Sequence, residues 1–382
     1  MLKVDGTRIV NERGQQVQLR GVNLGGWLVE EMWMMPFVTS PPEGSEWAVV
    51  RDHVSLWRVI EGRLGKEAAA RVKKALREAW LNESDFDHMK AAGFNCVRLP
   101  FLAALFDEPE GMRYLEKAVA WAEKRGIYVV LDLHGAPGCQ SKDHHSGETG
   151  RNAFFKKDEN VEAACRVWEK VARHFAGRQA VAGYDLLNEP MGAENPATMH
   201  AAHDRLYRAI RAVDKEHLIF VEDGYKGAET FPLPSAAGWK NVAYSLHVYG
   251  FQSTSAADQL AKLAWLREEC EKVQTIYGVP VYVGEFNQEP HGTRETMQAF
   301  VEEMLKHGWA FTQWSYKQVV ARGKRNMWGY YRNPHPVEAI DPFRDSETEM
   351  VRKCEQYRTE KLELEERLAG VLGEKKPEAR SQ

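Results

Sequence analysis

The sequence predicts an α/β fold, a (β/α)8 TIM barrel with an N-terminal β-hairpin and a helical insertion after strand 1. Three observations lead there. Eight short apolar runs recur along the chain, stretches with helical spacing separate most of them, and several runs are apolar without interruption, as strands buried on both faces must be. A doubly wound open sheet is disfavoured because no GxGxxG turn opens any of the helical stretches.

Residues 2–20 alternate apolar and polar positions, with Asp5-Gly6 and Arg13-Gly14 as turn signals, and predict a hairpin that caps one end of a larger body. The first core strand, 19–24, leads into Gly25-Gly26-Trp27. A long insertion follows over 33–81, in which 67–80 combines strong helix formers with an apolar stripe at three- and four-residue spacing. Asn82 is a suitable N-cap, with Asp85 placed to complete a capping box. The alternation then runs helix 83–92, strand 94–99, helix 112–124, strand 127–133, helix 160–175 and strand 181–187. It continues with helix 197–213, strand 218–221, a short irregular crossover, strand 242–246, helix 256–276, strand 279–283, helix 293–306 and strand 309–314. Beyond Arg344, the residues Met350, Cys354, Tyr357, Leu364, Leu368 and Val371 fall on a helical stripe, interrupted at Lys361. This predicts an extended eighth helix, with a short coiled-coil seam as the alternative. No linker composition divides the chain, so residues 1–373 are expected to form a single domain and 374–382 a frayed tail.

Composition narrows the function. Hydrophobic residues at 43% and charged residues at 28% are those of a globular chain able to bury a large core. A net charge of −4, with both signs interspersed, argues against nucleic acid as a partner. Five dispersed cysteines without a CxxC pair give neither a disulfide framework nor a zinc ribbon. Neither a signal-peptide pattern nor a membrane-length apolar run is present, which predicts a cytoplasmic protein with no membrane partner, or a secreted one had a leader been removed. A monomer is expected. The 12 tryptophans suggest aromatic platforms for sugar rings or other apolar ligands.

Barrel active sites lie at the C-terminal ends of the strands, so the polar residues there form a candidate constellation. They are Arg98, His134, Asn188 with Glu189, His247 with Tyr249, Glu285, and Trp314. Taken alone, either glutamate is equally a strand-terminal cap. Together they are the acid and the carboxylate that cleavage of a glycosidic bond requires, with no cofactor and no metal. A metal set drawn from His134, His144 and His145 is disfavoured, since no HxH or HExxH spacing occurs. Charge repulsion from Glu285 is expected to raise the pKa of Glu189 and keep it protonated. Arg98 and Tyr249 are placed to hold Glu285 ionised, Asn188 to meet a sugar 2-hydroxyl, and Trp314 to floor the ring. The two histidines are placed to bind hydroxyls or the acid/base, although each is as readily a satisfied core histidine.

The chain resembles glycoside hydrolase family 5, and within it the exo-β-1,3-glucanase branch. The resemblance is carried by RGVNLGGWLVEEMW (20–33), LGKEAAARV (64–72), AGFNCVRLPF (92–101), LDLHGAPGCQ (131–140), Ser146-Gly147 and YDLLNEP (184–190). It implies a retaining two-glutamate mechanism with Glu189 as acid/base and Glu285 as nucleophile. It further implies Arg98, His134, Asn188, His247, Tyr249 and Trp314 as their shell, and Glu31 against the non-reducing-end sugar. Where that branch carries an acid before Asn-Ser-Gly, this chain has His144 before His145-Ser146-Gly147. The departure admits a β-mannoside or another β-glycoside beside a β-glucan or short β-glucoside. A transglycosylase on the same site and a carbohydrate-binding protein on an inactive barrel are the alternatives.

Overall fold

A computed structural model of the chain describes residues 1–321 and 327–373; the tail expected at 374–382 lies outside them. Eight parallel strands close into a barrel: β1 (Arg20–Asn23), β2 (Cys96–Leu102), β3 (Tyr128–Gly135), β4 (Val181–Asp185), β5 (Leu218–Glu222), β6 (Val242–Tyr249), β7 (Val281–Asn287) and β8 (Ala310–Gln313). Closure is made by β8 pairing with β1, Phe311 opposite Arg20 and Gln313 opposite Val22. Each strand overlaps the segment expected for it. Several run two or three residues further toward the polar end, because the polar residues there still take part in the ladder, as Tyr249 does opposite Asn287.

The hairpin Lys3–Asp5 and Arg8–Val10 closes the N-terminal end of the barrel. Its Leu2 and Ile9 pack into a core lobe with Cys96, Val130, Ala182, Phe220, Ala243 and Tyr282 from the strands. Burying each large apolar side chain contributes roughly 1.5–3 kcal/mol, so this plug is a structural element in its own right.

The insertion after β1 forms two helices, His53–Leu64 and Lys66–Trp80. Two indoles fasten it to the turn that follows β1: Trp80 Nε1 donates to the Gly25 carbonyl at 2.9 Å, and Trp27 Nε1 to the Arg77 carbonyl at 3.0 Å. The helix Glu83–Ala91 starts at the expected capping box, with Asn82 accepting from the Ser84 amide and Asp85 accepting from the Asn82 amide. The irregular crossover between β5 and β6 holds only a 3-10 turn and the four-residue helix Pro234–Ala237. No helix among the described residues is long and apolar enough to cross a membrane.

The C-terminal stripe does not form one helix. A helix spans Glu347–Cys354, two 3-10 turns follow, and Glu363–Leu364 pairs antiparallel with Tyr331–Arg332, which itself pairs with Lys317–Gln318. Met350, Cys354, Tyr357 and Leu368 are buried as the stripe suggests, whereas Leu364 is exposed. The chain past Lys361 gains more by completing this small sheet beside the barrel mouth than by continuing a helix whose apolar face is broken.

Candidate active site

A cleft of about 570 Å³ opens at the C-terminal end of the barrel, large enough to enclose a sugar. Glu31, His134, His144, Asn188, Glu189, Tyr249, Glu285 and Trp314 line it, and Arg98 and His247 lie beneath them. All ten residues expected to form a site therefore converge at one place.

Arg98 is the centre of the construction. Fully buried on β2, its guanidinium donates to Glu285 Oε1 at 2.7 Å, Asp185 Oδ2 at 2.9 Å, Glu222 Oε1 at 2.9 Å, Asn188 Oδ1 at 2.8 Å and Asn23 Oδ1 at 3.1 Å. Asp132 lies at 3.2 Å. Four acidic side chains thus share one cation. That is tolerable in a dry interior only because the planar fork gives most of them a charge-assisted hydrogen bond. Asp132, Asp185 and Glu222 are close enough together to suggest a metal site, but Arg98 supplies the positive charge there.

Glu285 is held from both sides, by Arg98 and by the Tyr249 hydroxyl, which donates to Oε2 at 2.7 Å. Glu189 follows β4 in a left-handed backbone conformation with φ of 42°, and its neighbour Tyr225 has φ of 61°. Each costs an L-residue on the order of 1–3 kcal/mol, a strain typical of functional positions. The Glu189 amide donates to Glu222 Oε2 at 2.7 Å, and His247 Nδ1 contacts Glu189 Oε1 at 2.8 Å and Glu285 Oε2 at 3.6 Å. An oxygen of Glu189, a nitrogen of His247 and an oxygen of Glu285 lie within 4.8 Å of one another.

The electrostatics reverse one expectation. Burial pushes the Glu189 carboxyl up, but the neighbouring His145 and His247 imidazoles and the Tyr225 hydroxyl outweigh it and hold Glu189 well below the usual carboxylate range. Burial pushes Glu285 up, and the charge of Glu189 adds to this, against the pull of His247 and Arg98. For His247, burial is outweighed by Glu222, Glu285 and the bond to Glu189, which together raise it well above the ordinary histidine range. His247, pushed toward its charged form, stands one hydrogen bond from Glu189, its Nδ1 2.8 Å from Oε1. The two imidazoles and the Tyr225 hydroxyl therefore act on Glu189 in the direction opposite to the repulsion expected from Glu285.

Glu31 Oε2 accepts from Trp33 Nε1 at 2.7 Å and pairs with His144 Nε2 at 2.8 Å, while its Oε1 has no hydrogen-bond partner among the described residues. Trp314 stacks on His134 with ring centroids 5.3 Å apart and planes 12° from parallel. His134 Nδ1 meets Asp132 at 2.8 Å, and its Nε2 has no hydrogen-bond partner among the described residues. The mouth is aromatic: Tyr249, Phe251 and Trp328 form a three-ring cluster with centroids 4.9–6.1 Å apart, and Trp33 is edge-on to Trp328.

Sequence reasoning missed Glu222, His145, Tyr225, Phe251 and Trp328. Glu222 ends β5 and was within reach of the strand-end rule that found the others. His145 is adjacent to a position singled out for its departure from the family pattern. The three aromatics sit on loops without periodicity, where nothing local marks them.

The sequence model of the cellulases (glycosyl hydrolase family 5) matches residues 65–319. A β-xylosidase of Phanerodontia chrysosporium is 34% identical over 304 residues, which are 75% of this chain and 61% of that protein. A glucan 1,3-β-glucosidase of Blumeria graminis is 35% identical over 270 residues, 68% of this chain and 61% of that protein. The chain spans about three fifths of the length of these curated relatives. Among solved structures, rutinosidase from Aspergillus niger superposes with a TM-score of 0.62 over 82% of this chain and 95% of that one, at 18% identity. Endo-glycoceramidase II from Rhodococcus sp. gives 0.58 over 90% and 80%, at 19% identity. These structures share the barrel. The family match covers more than half of the sequence, and the chain belongs to glycoside hydrolase family 5.

Proposed function

We propose that the protein is a retaining β-glycosidase that hydrolyses β-glucans or short β-glucosides through a covalent intermediate on Glu285. The observation that carries this is the pair of strand-end glutamates with oxygens within 4.8 Å. Retaining enzymes set their carboxyls about 5–5.5 Å apart, while inverting ones leave about 6.5–9.5 Å for a water.

In the first half-reaction a Glu285 oxygen attacks the anomeric carbon and the glycosidic C–O bond breaks. Glu189 delivers to the departing oxygen the proton it shares with His247. Arg98 and Tyr249 fix the trajectory of the attacking carboxylate, and Asn188 meets the 2-hydroxyl. In the second half-reaction Glu189 takes a proton from water, whose oxygen attacks the anomeric carbon and releases Glu285 as carboxylate. Ionised Glu189 in the resting site suits this base role, and closure around a sugar, which excludes water, favours its neutral form for the first. Glu31 with its free Oε1, His134 with its free Nε2, and His144 form the sugar-facing wall, and Trp314 lies under the ring.

Support for glucose as the sugar comes from the relatives named glucan 1,3-β-glucosidase; the relative named β-xylosidase makes a β-xyloside the second substrate to try. The test is a panel of aryl β-glucoside, β-xyloside and β-mannoside with laminari- and cello-oligosaccharides. The wild type is expected to turn over at least one. Glu285→Ala is expected to lose turnover and, with added azide, to form the inverted glycosyl azide. Full activity in Glu285→Ala would overturn the assignment.

A further inference from the structure

The insertion after β1 does more than pack against the turn that follows that strand. The first turn of its helix His53–Leu64 bonds to the chain beside both partners of the Glu31–His144 pair, from two directions.

On one side it holds the exit from β1. Glu30, next to Glu31 and fully buried, accepts from His53 Nδ1 and from Trp57 Nε1, the latter at 3.2 Å. His53 and Trp57 stand one helical turn apart, so both project from one face onto that carboxylate. Burial pushes the Glu30 carboxyl up, but His53, Arg77 and Lys73 outweigh it and hold it down to about 2. Glu30 is a fixed anion, and the main chain at Glu31 is fixed with it.

On the other side the same turn of helix holds the loop after β3. Asp52, the N-cap, is 3% exposed and divides its two oxygens. Oδ1 accepts from the Ser55 amide at 2.8 Å, within the capping box, while Oδ2 accepts from the Thr149 amide at 2.7 Å. Burial pushes the Asp52 carboxyl up, and these two amides outweigh it and hold it below the usual carboxylate range. The Val54 amide, a donor that the first helical turn leaves without an intrahelical partner, bonds to the Gly147 carbonyl at 3.1 Å. Gly147 in turn donates its own amide to the His144 carbonyl at 3.0 Å, closing the 3-10 turn His144–Ser146. An ion pair from Arg58 to Glu148 at 3.3 Å adds a third tie, but Arg58 is exposed and such a pair contributes little.

Starting a helix takes one acceptor at the N-cap, so the second oxygen of Asp52 is free for another task. It is engaged by a loop 97 residues away, the loop that carries His144. We infer that Asp52 is a positioning residue for sugar recognition: it locks the loop bearing His144 to the helix whose His53 and Trp57 hold Glu30, so that one element sets both sides of the Glu31–His144 pair. This rests on the reading of that pair as part of the sugar-facing wall. With Glu31 Oε2 engaged by Trp33 and His144, Oε1 is the acceptor left for a sugar hydroxyl. A loop released from Asp52 draws His144 away from Glu31, and the hydroxyl then meets a carboxylate that is no longer aimed.

Asp52→Ser separates the two tasks. Serine ranks with aspartate as an N-cap, so the helix start is kept, but its one shorter hydroxyl cannot also reach Thr149. On the aryl β-glycoside that the wild type turns over best, Asp52→Ser is expected to raise KM by roughly three- to tenfold, the scale of coupling between groups in one network, with kcat held within about twofold. In a His144→Ala background the same replacement is expected to change KM by less than about twofold, because the residue through which Asp52 acts is gone. A folded, active Asp52→Ser with the wild-type KM overturns the inference. So does an equal rise in KM with and without His144, which would mark a general loosening of the insertion. Failure of the underlying reading looks different and takes the inference with it: the wild type turns over no glycoside, Glu285→Ala stays active, or His144→Ala alone keeps the wild-type KM.

Discussion

Replacing Arg98 by lysine separates charge from geometry at the centre of the site. Arginine spends all three nitrogens: Nε on Asp185, Nη1 on Glu285 and Asn23, Nη2 on Glu222 and Asn188. A lysine keeps the positive charge but offers a single ammonium on a shorter reach, so it can serve Glu285 or the inner carboxylates, not both sets. The shorter lysine, rooted on β2 beside the inner carboxylates, is expected to stay with them, and the bond then forfeited at Glu285 is a buried, charge-assisted contact of 2.7 Å, worth about 1.5–3 kcal/mol. At 1.36 kcal/mol per pH unit, its loss raises the nucleophile's pKa by about 1–2 units, less whatever the remaining charge restores at a distance. In the proposed mechanism Glu285 must be ionised to attack, so the acid limb of kcat/KM is expected to move up by about one unit or more, while activity near the optimum falls. Urea unfolding is expected to show a loss of roughly 2–4 kcal/mol, from at least two charge-assisted bonds left unmade. The paired assays are a pH–rate profile on an aryl β-glycoside and an equilibrium unfolding curve. An acid limb that stays in place in an active Arg98→Lys would refute the claim that this guanidinium sets the charge of Glu285.

Asp185 is pushed up to about 7 by burial and by Glu222, against the pull of Arg98. The folded state thus holds a proton that the unfolded chain releases near 3.8, and the contribution to stability is complete below that pH and lost as pH rises toward 7. Asp185→Asn does not titrate, so its unfolding free energy relative to wild type is expected to rise by roughly 2–4 kcal/mol between acid and neutral pH; parallel urea curves across that range would count against it. Gly21→Ala is expected to cost more than about 3 kcal/mol or abolish folding. A Cβ there would lie 1.7 Å from the Cys96 carbonyl oxygen, a backbone atom of the neighbouring strand that cannot move aside. Circular dichroism melting checks this, and a wild-type midpoint would contradict the close approach of β1 and β2.

The barrel was legible because each strand is an apolar run ended by punctuation, and those punctuation marks are the site itself: Asn188-Glu189-Pro190 after β4, Gly284-Glu285-Phe286 in β7. Period and placement are local properties, and local properties are what a sequence displays. Interaction between residues far apart in the chain is not. Nothing near Glu189 says that His247, 58 residues on, will stand 2.8 Å from its carboxylate. The C-terminal stripe misled for a related reason. Met350, Cys354 and Tyr357 are buried, but the strand at Glu363–Leu364 exists only because Tyr331–Arg332 offers an edge to pair with, a partner that helical spacing cannot reveal. Glu222 is a different case, since its signal was present at the end of β5 and it simply bonds other site residues instead of lining the cleft.

The turn after β3 places His144 against Glu31 and, one residue later, His145 against Glu189, the acid/base of the proposed mechanism. In barrels of this kind, loops can be exchanged between lineages while strand ends are kept, which lets selectivity drift without disturbing the chemistry. Here the two are encoded side by side. Recombination that swaps this loop would exchange the partner of Glu31 and the neighbour of Glu189 in one step.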